Sequence, residues 1–227
     1  MFVTWSIWAP AAVVLTLLQA LWLVPRLSEP EDGAELHKVP YARLPTRGRL
    51  VLLSLIALAT QVATATQPAS QRGLWLVLGS SVLVLIWVDA LTTWLPTVLA
   101  RLCLVQMVLA AAIGAPFADH PGTTLLRVGL GAAASWGLWW LIWRLSRGGI
   151  GYGDVRLAPL LGAAVGACGV NAWLAALLAG SLAGVIWALA RRHRPPAPGT
   201  TSGFAYGPAL WIGPYAALIW MWALGPH

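Results

Sequence analysis

The stretch from Leu157 to Ala190 reads LAPLLGAAVGACGVNAWLAALLAGSLAGVIWALA and contains 34 consecutive residues without a charged side chain. A single helix of that length would measure roughly 51 Å at about 1.5 Å per residue, whereas the hydrocarbon core of a membrane is about 30 Å thick. The stretch must therefore form two membrane-crossing helices. Glycine and asparagine favour turns, so we predict the break between them at Cys168-Gly169-Val170-Asn171.

The rest of the chain has the same apolar character. Of its 227 residues, 59% are hydrophobic and only 9% are charged. In soluble domains roughly a quarter of all residues are charged. This composition therefore excludes a water-soluble protein and indicates one embedded in a lipid bilayer. The net charge of +7 is expected when basic residues flank membrane spans, and it calls for no nucleic-acid partner.

Apolar segments long enough to cross a bilayer recur along the chain. We predict an all-α membrane protein, a polytopic bundle of about eight transmembrane helices that forms a single domain over residues 1–227. The first segment lacks the basic start of a signal peptide, which predicts a retained span. The predicted spans are Phe2–Val24, Leu50–Thr66, Leu74–Trp94, Val98–Pro116, Leu125–Trp143, Val155–Ala167, Ala172–Ala190 and Pro208–Leu224.

Basic residues are distributed unequally between the two sides of this bundle. If the amino terminus lies outside, the outer side holds only Arg72 and Arg127. The positive-inside rule then predicts a cytoplasmic-membrane protein with both termini outside the cytoplasm and with cytoplasmic loops at residues 25–49 and 191–207. The basic residues of the inner side are Arg26, Lys38, Arg43, Arg47, Arg49, Arg101, Arg144, Arg147, Arg156, Arg191, Arg192 and Arg194.

Two acidic residues lie at membrane spans rather than in polar loops. Asp89 lies near the inner end of the third span, and Asp154 precedes the sixth span at the same face. Acids within a membrane are costly and usually face a polar cavity or a transport pathway. Two structural interpretations remain open: Asp154 could cap its helix, and Asp89 could form a buried ion pair with Arg101 or Arg156.

Two carboxyl groups held close together can share one proton. One then takes a proton from water while the other donates to a carbonyl oxygen, as in aspartic peptide hydrolysis.

The histidines lie in loops or at the terminus and the two cysteines lack metal-ligand spacing, so we expect no metal and no cofactor.

Glycines precede Asp154, and they include Gly148, Gly149, Gly151 and Gly153. Glycine can adopt positive φ and allows another segment to approach closely. Pro159 follows five residues after Asp154, beyond the first helical turn where proline fits best, and indicates an irregular start to this helix.

Three separated segments form a combined pattern: GIGYGDVRL at 149–157 with LLGA at 160–163 behind it, Asp89 followed by Leu95-Pro96, and FAYGPAL at 204–210. Together they resemble the type IV prepilin peptidases, a family of membrane aspartic proteases of the GxGD kind. The resemblance covers Leu74 to Tyr215. It implies that Asp89 and Asp154 form the catalytic pair, and that Gly151 and Gly153 shape the approach of the substrate.

The resemblance also implies a substrate class. The family cleaves pilin or pseudopilin precursors at the cytoplasmic membrane boundary, between a short basic leader and a hydrophobic helix. The family commonly has a third acid after Leu-Pro, where this chain has Thr97. Many members carry a cysteine-bearing insertion linked to methylation, whereas the loop at 25–49 has no cysteine. We therefore expect no methyltransferase activity, and the short form resembles members that serve Flp-type or archaeal-type filaments.

Other functions remain compatible with the paired acids. A small proton- or cation-coupled transporter would use them in a pathway, which favours positions near the bilayer midplane. A catalytically silent assembly factor would tolerate Asn at either acid. Four acids of the first inner loop could attract a basic leader or could simply form a solvated surface, and they are Glu29, Glu31, Asp32 and Glu35.

Overall fold

The computed structural model describes residues 2–29, 39–147, 150–192 and 205–224. Within these ranges the protein is helical and has no strand, which confirms the predicted all-α class. Glu31, Asp32, Glu35, Gly148, Gly149 and Phe204 lie outside the described residues. The helices are α1 Phe2–Leu18, α2 Arg47–Thr66, α3 Ala69–Gly79, α4 Ser81–Thr92, α5 Thr97–Gly114, α6 Pro121–Leu145, α7 Tyr152–Cys168, α8 Val170–Arg192 and α9 Gly207–Leu224.

Six helical segments of the described chain are long and apolar enough to cross a membrane, and the protein is an integral membrane protein. The helices α7, with 17 residues, and α9 are not among the six. The count of about eight spans stays a prediction. The six segments are Ile7–Arg26, Arg47–Thr66, Ala69–Thr92, Thr97–Phe117, Pro121–Leu145 and Val170–Ala190.

The predicted third span is one segment with an internal break. Helix α3 ends at Gly79, and Ser80 departs from helical geometry with φ −125° and ψ −77° before α4 begins. The Thr60 hydroxyl of α2 donates a hydrogen bond of 3.2 Å to the Gly79 carbonyl. A break inside a membrane needs such a partner, because water is absent there to satisfy the backbone.

The break predicted within residues 168–171 is confirmed. Gly169 separates α7 from α8 with φ +110°, a value that favours glycine because it has no Cβ. Its carbonyl accepts a hydrogen bond of 3.1 Å from the Trp173 N–H, which begins the next helix.

The prediction of an irregular start to α7 is wrong. The helix is continuous from Tyr152 through Pro159 to Cys168. Pro159 cannot donate the usual bond to the Val155 carbonyl, but membrane helices tolerate proline where neighbouring helices pack around them. Nearly all its residues from Val155 to Ala167 are buried.

Helices α6 and α7 cross at small residues. A Cβ at Gly131 would collide with the Gly162 carbonyl oxygen and lie 2.8 Å from the Gly166 Cα. A Cβ at Gly162 would in turn lie 2.7 Å from the Ser135 Cβ. Small residues spaced four apart allow this close approach of two membrane helices. The crossing fixes α7, and therefore its first turn, against the bundle.

Candidate active site

A cavity of about 530 Å³ opens at the end of the bundle where α4 ends and α5 and α7 begin. The segment that follows α1 and the residue before α9 complete its wall. The cavity is therefore built by five parts of the chain that are distant in sequence. Its lining residues are Leu27, Ser28, Glu29, Tyr41, Asp89, Thr93, Trp94, Leu95, Pro96, Thr97, Val98, Gly151, Tyr152, Gly153, Asp154, Arg156 and Tyr206.

Asp89 lies in the last turn of α4 and is 4% exposed. Its Oδ2 accepts a hydrogen bond of 3.2 Å from the backbone N–H of Gly207, the first residue of α9. A Cβ on Gly207 would lie 2.5 Å from the same Oδ2 and 3.2 Å from the Ile86 Cδ1. Only glycine therefore allows the backbone of α9 to reach this carboxyl group.

Asp154 lies in the first turn of α7 and is 7% exposed. The residue in the capping position is Gly151, and no side chain caps the helix, so the interpretation of Asp154 as an N-cap is wrong. Its carboxyl group interacts electrostatically with that of Asp89. The structure thus brings the two predicted acids together in one cavity from two separate helices.

The turn after α4 is strained beside Asp89. Thr93 adopts the left-handed conformation with φ 60° and ψ 20°, which is unusual for a β-branched residue. Its N–H donates a 2.6 Å hydrogen bond to the Asp89 carbonyl, and the Thr92 hydroxyl accepts one of 3.3 Å from the Trp94 N–H. Sequence reasoning did not single out Thr93, because no glycine or asparagine marks the position.

The two predicted glycines have different surroundings. Gly153 lies under Leu95, whose Cδ1 would be 2.6 Å from a Cβ at that position. Gly151 has open space around it, since the nearest atom to its Cβ position is the Gly153 nitrogen at 3.9 Å. Neither has positive φ, which Gly169 alone shows among the described glycines. Neither Gly151 nor Gly153 therefore uses the positive φ that is open to glycine, and of the two only Gly153 is closely packed.

Arg156 is a basic residue of the cavity wall. Its Nη1 donates a hydrogen bond of 2.7 Å to the Thr97 hydroxyl, and its guanidinium lies 5.0 Å from the ring centroid of Tyr152. Arg101 is exposed on α5. The Arg156–Thr97 bond joins the N-terminal part of α7 to the start of α5 and so helps to fix the cavity.

Tyr206 is a further residue of the site that sequence reasoning left without a role. Its ring packs on Trp139 at a centroid distance of 5.5 Å, and a Cβ at Gly184 would collide with it. Burial raises the pKa of Tyr206, a hydrogen bond with Ser181 lowers it, and the charge of Asp154 adds to the rise. The phenol therefore stays protonated beside the two acids. The sequence feature that could have indicated a role for Tyr206 is its position in FAYGPAL at 204–210, one of the three segments that carry the family resemblance.

The described residues contain no cluster of three or more His, Cys, Asp or Glu side chains that could hold a metal ion. The two cysteines are free thiols, with Cys103 buried and Cys168 partly buried. Cys168 lies at the far end of α7 from Asp154.

A model of the type IV leader peptidase family matches residues 76–189 of the chain. The chain belongs to the type IV leader peptidase family. The matched region runs from α3 to α8 and contains Asp89 and Asp154. Comparison with curated proteins found no match, and comparison with solved structures found none. Membership in the family indicates a membrane peptidase with a leader-peptidase function.

Proposed function

We propose that this protein is an aspartic endopeptidase that removes the short basic leader of type IV or Flp-like prepilins or pseudopilins, with Asp89 and Asp154 as the catalytic pair. One observation carries the proposal. Two buried carboxyl groups from separate helices line the same cavity of about 530 Å³ and interact electrostatically. Buried acids of this kind in a membrane protein usually serve its function.

The pair supplies both proton transfers that peptide hydrolysis needs. With one proton between them, the ionised carboxylate takes a proton from water as the water oxygen attacks the scissile carbonyl carbon. The protonated carboxyl group donates to the carbonyl oxygen and yields a neutral tetrahedral intermediate. Return of a proton to the amide nitrogen then breaks the C–N bond and releases an amine and a carboxylic acid.

The position of the acids supports cleavage at a membrane surface. Asp89 lies at the carboxyl end of the segment Ala69–Thr92, and Asp154 at the amino end of α7, so both lie at one end of the bundle. A proton or cation pathway would favour acids near the middle of the spans with access from both sides. This placement favours the peptidase over the transporter.

The orientation of the site belongs to the same proposal. Arg47 begins α2, Arg101 lies in the first turns of α5, and Arg144 lies in the last turn of α6, all at the cavity end of their helices. Basic residues favour the cytoplasmic side. We propose that the cavity opens to the cytoplasm and that both termini lie on the opposite side of the membrane, outside the cytoplasm.

Coexpression with a candidate prepilin tests the proposed function. We expect wild-type protein to remove the leader, and Asp89→Asn and Asp154→Asn each to abolish removal, because each variant retains the shape of the side chain but cannot exchange the proton. Asp119→Asn is the matched control, since Asp119 is exposed in the loop before α6. Full processing by either variant of the pair would reject the proposed mechanism.

A further inference from the structure

Glu29 lies in the wall of the cavity that contains the two aspartates. Helix α1 continues as a π-helix over Gln19–Leu23 and a 3-10 turn over Val24–Arg26, and the chain becomes extended at Leu27 with φ −70° and ψ 139°. This path carries Leu27, Ser28 and Glu29 along the cavity. In contrast to the buried aspartates, Glu29 is exposed, so solvent and an incoming peptide can reach its carboxylate.

The Glu29 carboxylate is held in place by the backbone. Its Oε1 accepts a hydrogen bond of 2.9 Å from the N–H of Tyr41, a residue only 2% exposed. Burial, and secondarily the charge of Glu29, raise the pKa of Tyr41 to about 12, so the phenol remains neutral. A carboxylate has about four acceptor positions, and the bond to Tyr41 uses one of them. Glu29 can therefore bind a second donor without losing its anchor.

The charges of the cavity favour a cation. Its described lining contains three acidic side chains, Glu29, Asp89 and Asp154, and one basic side chain, Arg156. The Arg156 guanidinium is bound to Thr97 and lies beside Tyr152. The rest of this end of the bundle is basic and repels a cationic peptide. Glu29 is the accessible acid of the cavity and the one outside the proposed catalytic pair.

We infer that Glu29 determines substrate specificity by pairing with a Lys or Arg side chain in the leader segment of the substrate. The inference rests on the proposed function, in which the scissile bond lies at Asp89 and Asp154. A cation bound at Glu29 holds the leader in the cavity while the peptide bond meets the two acids. Because Glu29 is exposed, this pair contributes to discrimination between substrates rather than to the chemical step.

Cleavage of two precursors by Glu29→Gln protein tests the inference. The precursors share a hydrophobic helix and differ only in the leader, which contains Lys in one and Gln in the other. Glutamine keeps an acceptor for the Tyr41 N–H and removes the charge. We expect kcat/KM for the Lys leader to fall about five-fold, mainly through KM, as for an exposed ion pair. The Gln leader should be unaffected, and the difference should shrink with salt.

Two controls separate the possible outcomes. Asp119→Asn removes one acid elsewhere and should preserve the preference for the Lys leader, whereas Glu29→Lys should prefer a leader that contains Glu. An equal fall for both precursors would assign Glu29 a structural role and overturn the inference. An unchanged preference would overturn it as well. Failure of wild-type protein to cleave either precursor, or cleavage by Asp89→Asn, would instead overturn the proposed function.

Discussion

The carboxyl group of Asp89 accepts a hydrogen bond from the backbone of Gly207. The N–H of Gly207 donates to Oδ2 at 3.2 Å, and the absence of a Cβ makes the approach possible. A hydrogen bond from a backbone donor fixes the orientation of a carboxyl group at little cost in entropy, because the donor is already ordered. The Gly207 contact therefore sets where the Asp89 oxygens stand relative to Asp154.

We expect Gly207→Ala to reduce leader removal on the order of 100-fold, because small displacements of a reacting group have effects of that size. The new Cβ would lie 2.5 Å from Oδ2, so either the carboxyl group or α9 must move. Gly48→Ala is the control, since nothing lies within 4 Å of its Cβ position near the start of α2. Initial rates of cleavage would measure the effect, and wild-type rates for Gly207→Ala would contradict the assigned contact.

At the scale of single residues, the sequence predicted the two acids, but it did not predict the conformation of Thr93 or the hydrogen bond between Glu29 and Tyr41. Asp89 and Asp154 were recognisable because charged side chains are rare at membrane spans. Thr93 was not, because its left-handed conformation is imposed by the turn between α4 and α5 rather than by its residue type. The Glu29–Tyr41 hydrogen bond joins two sides of a loop, and no periodic pattern encodes such a contact.

At the scale of the elements, the contact between α6 and α7 determines where the first turn of α7 lies. Gly131 and Ser135 of α6 face Gly162 and Gly166 of α7, and the helices approach until backbone atoms meet. Membrane helices gain no hydrophobic energy from association in lipid, so close packing of this kind is a main source of their stability.

We expect Gly131→Ala to lower the free energy of unfolding by roughly 1–3 kcal/mol, the usual effect of overpacking. Its Cβ would collide with the Gly162 carbonyl, which cannot rotate away. Gly137→Ala in the same helix has nothing within 4 Å and should be neutral or slightly stabilising, since alanine favours helix. Thermal unfolding in detergent would compare them, and equal midpoints would contradict the packing described for α6 and α7.

The helices themselves were largely predictable, because long apolar runs separated by Gly, Pro and charged residues have one reasonable structure in a membrane. The exceptions are instructive. The break at Ser80 was missed because the Thr60 hydroxyl that stabilises it comes from another helix. The continuity of α7 through Pro159 was missed because neighbouring helices make proline tolerable in a membrane helix, and the burial of α7 among them is a property of the assembled bundle.

At the scale of the whole molecule, the half of the bundle formed by α1 to α4 contains many buried polar side chains. Gln19 donates a hydrogen bond of 2.7 Å to the Ser81 hydroxyl, and Thr60 bonds to the Ala57 and Gly79 carbonyls. The buried Thr64 hydroxyl makes no hydrogen bond with a described residue. The hydrogen-bonded groups therefore hold the helices in register, whereas a buried polar group without a hydrogen bond lowers the stability of the fold.

We expect Thr64→Val to leave the protein as stable as the wild type or to stabilise it by up to about 1–3 kcal/mol, because valine matches the shape and removes an unpaired polar group. Thr60→Val is the matched variant in the same helix. It should destabilise by about 0.5–1.5 kcal/mol through loss of its hydrogen bonds. Unfolding of both variants in the same detergent provides the measurement, and the reverse ranking would contradict the hydrogen bonding described for α2.

The meeting of the two acids was predictable from the order and direction of the spans, since alternate crossings bring the end of one helix and the start of another to the same face. The shape of the cavity was not, because five distant segments build it.

The hydrogen bond from Gly207 to Asp89 also has a consequence for synthesis on the ribosome. Residues 76–189, which carry the family match and both acids, are translated before α9. Until Gly207 has left the exit tunnel and α9 has entered the bilayer, the Asp89 carboxyl group lacks this backbone donor. Under the proposed function, we therefore expect the nascent chain to remain inactive during its own insertion and to become active only when α9 has packed beside Asp89.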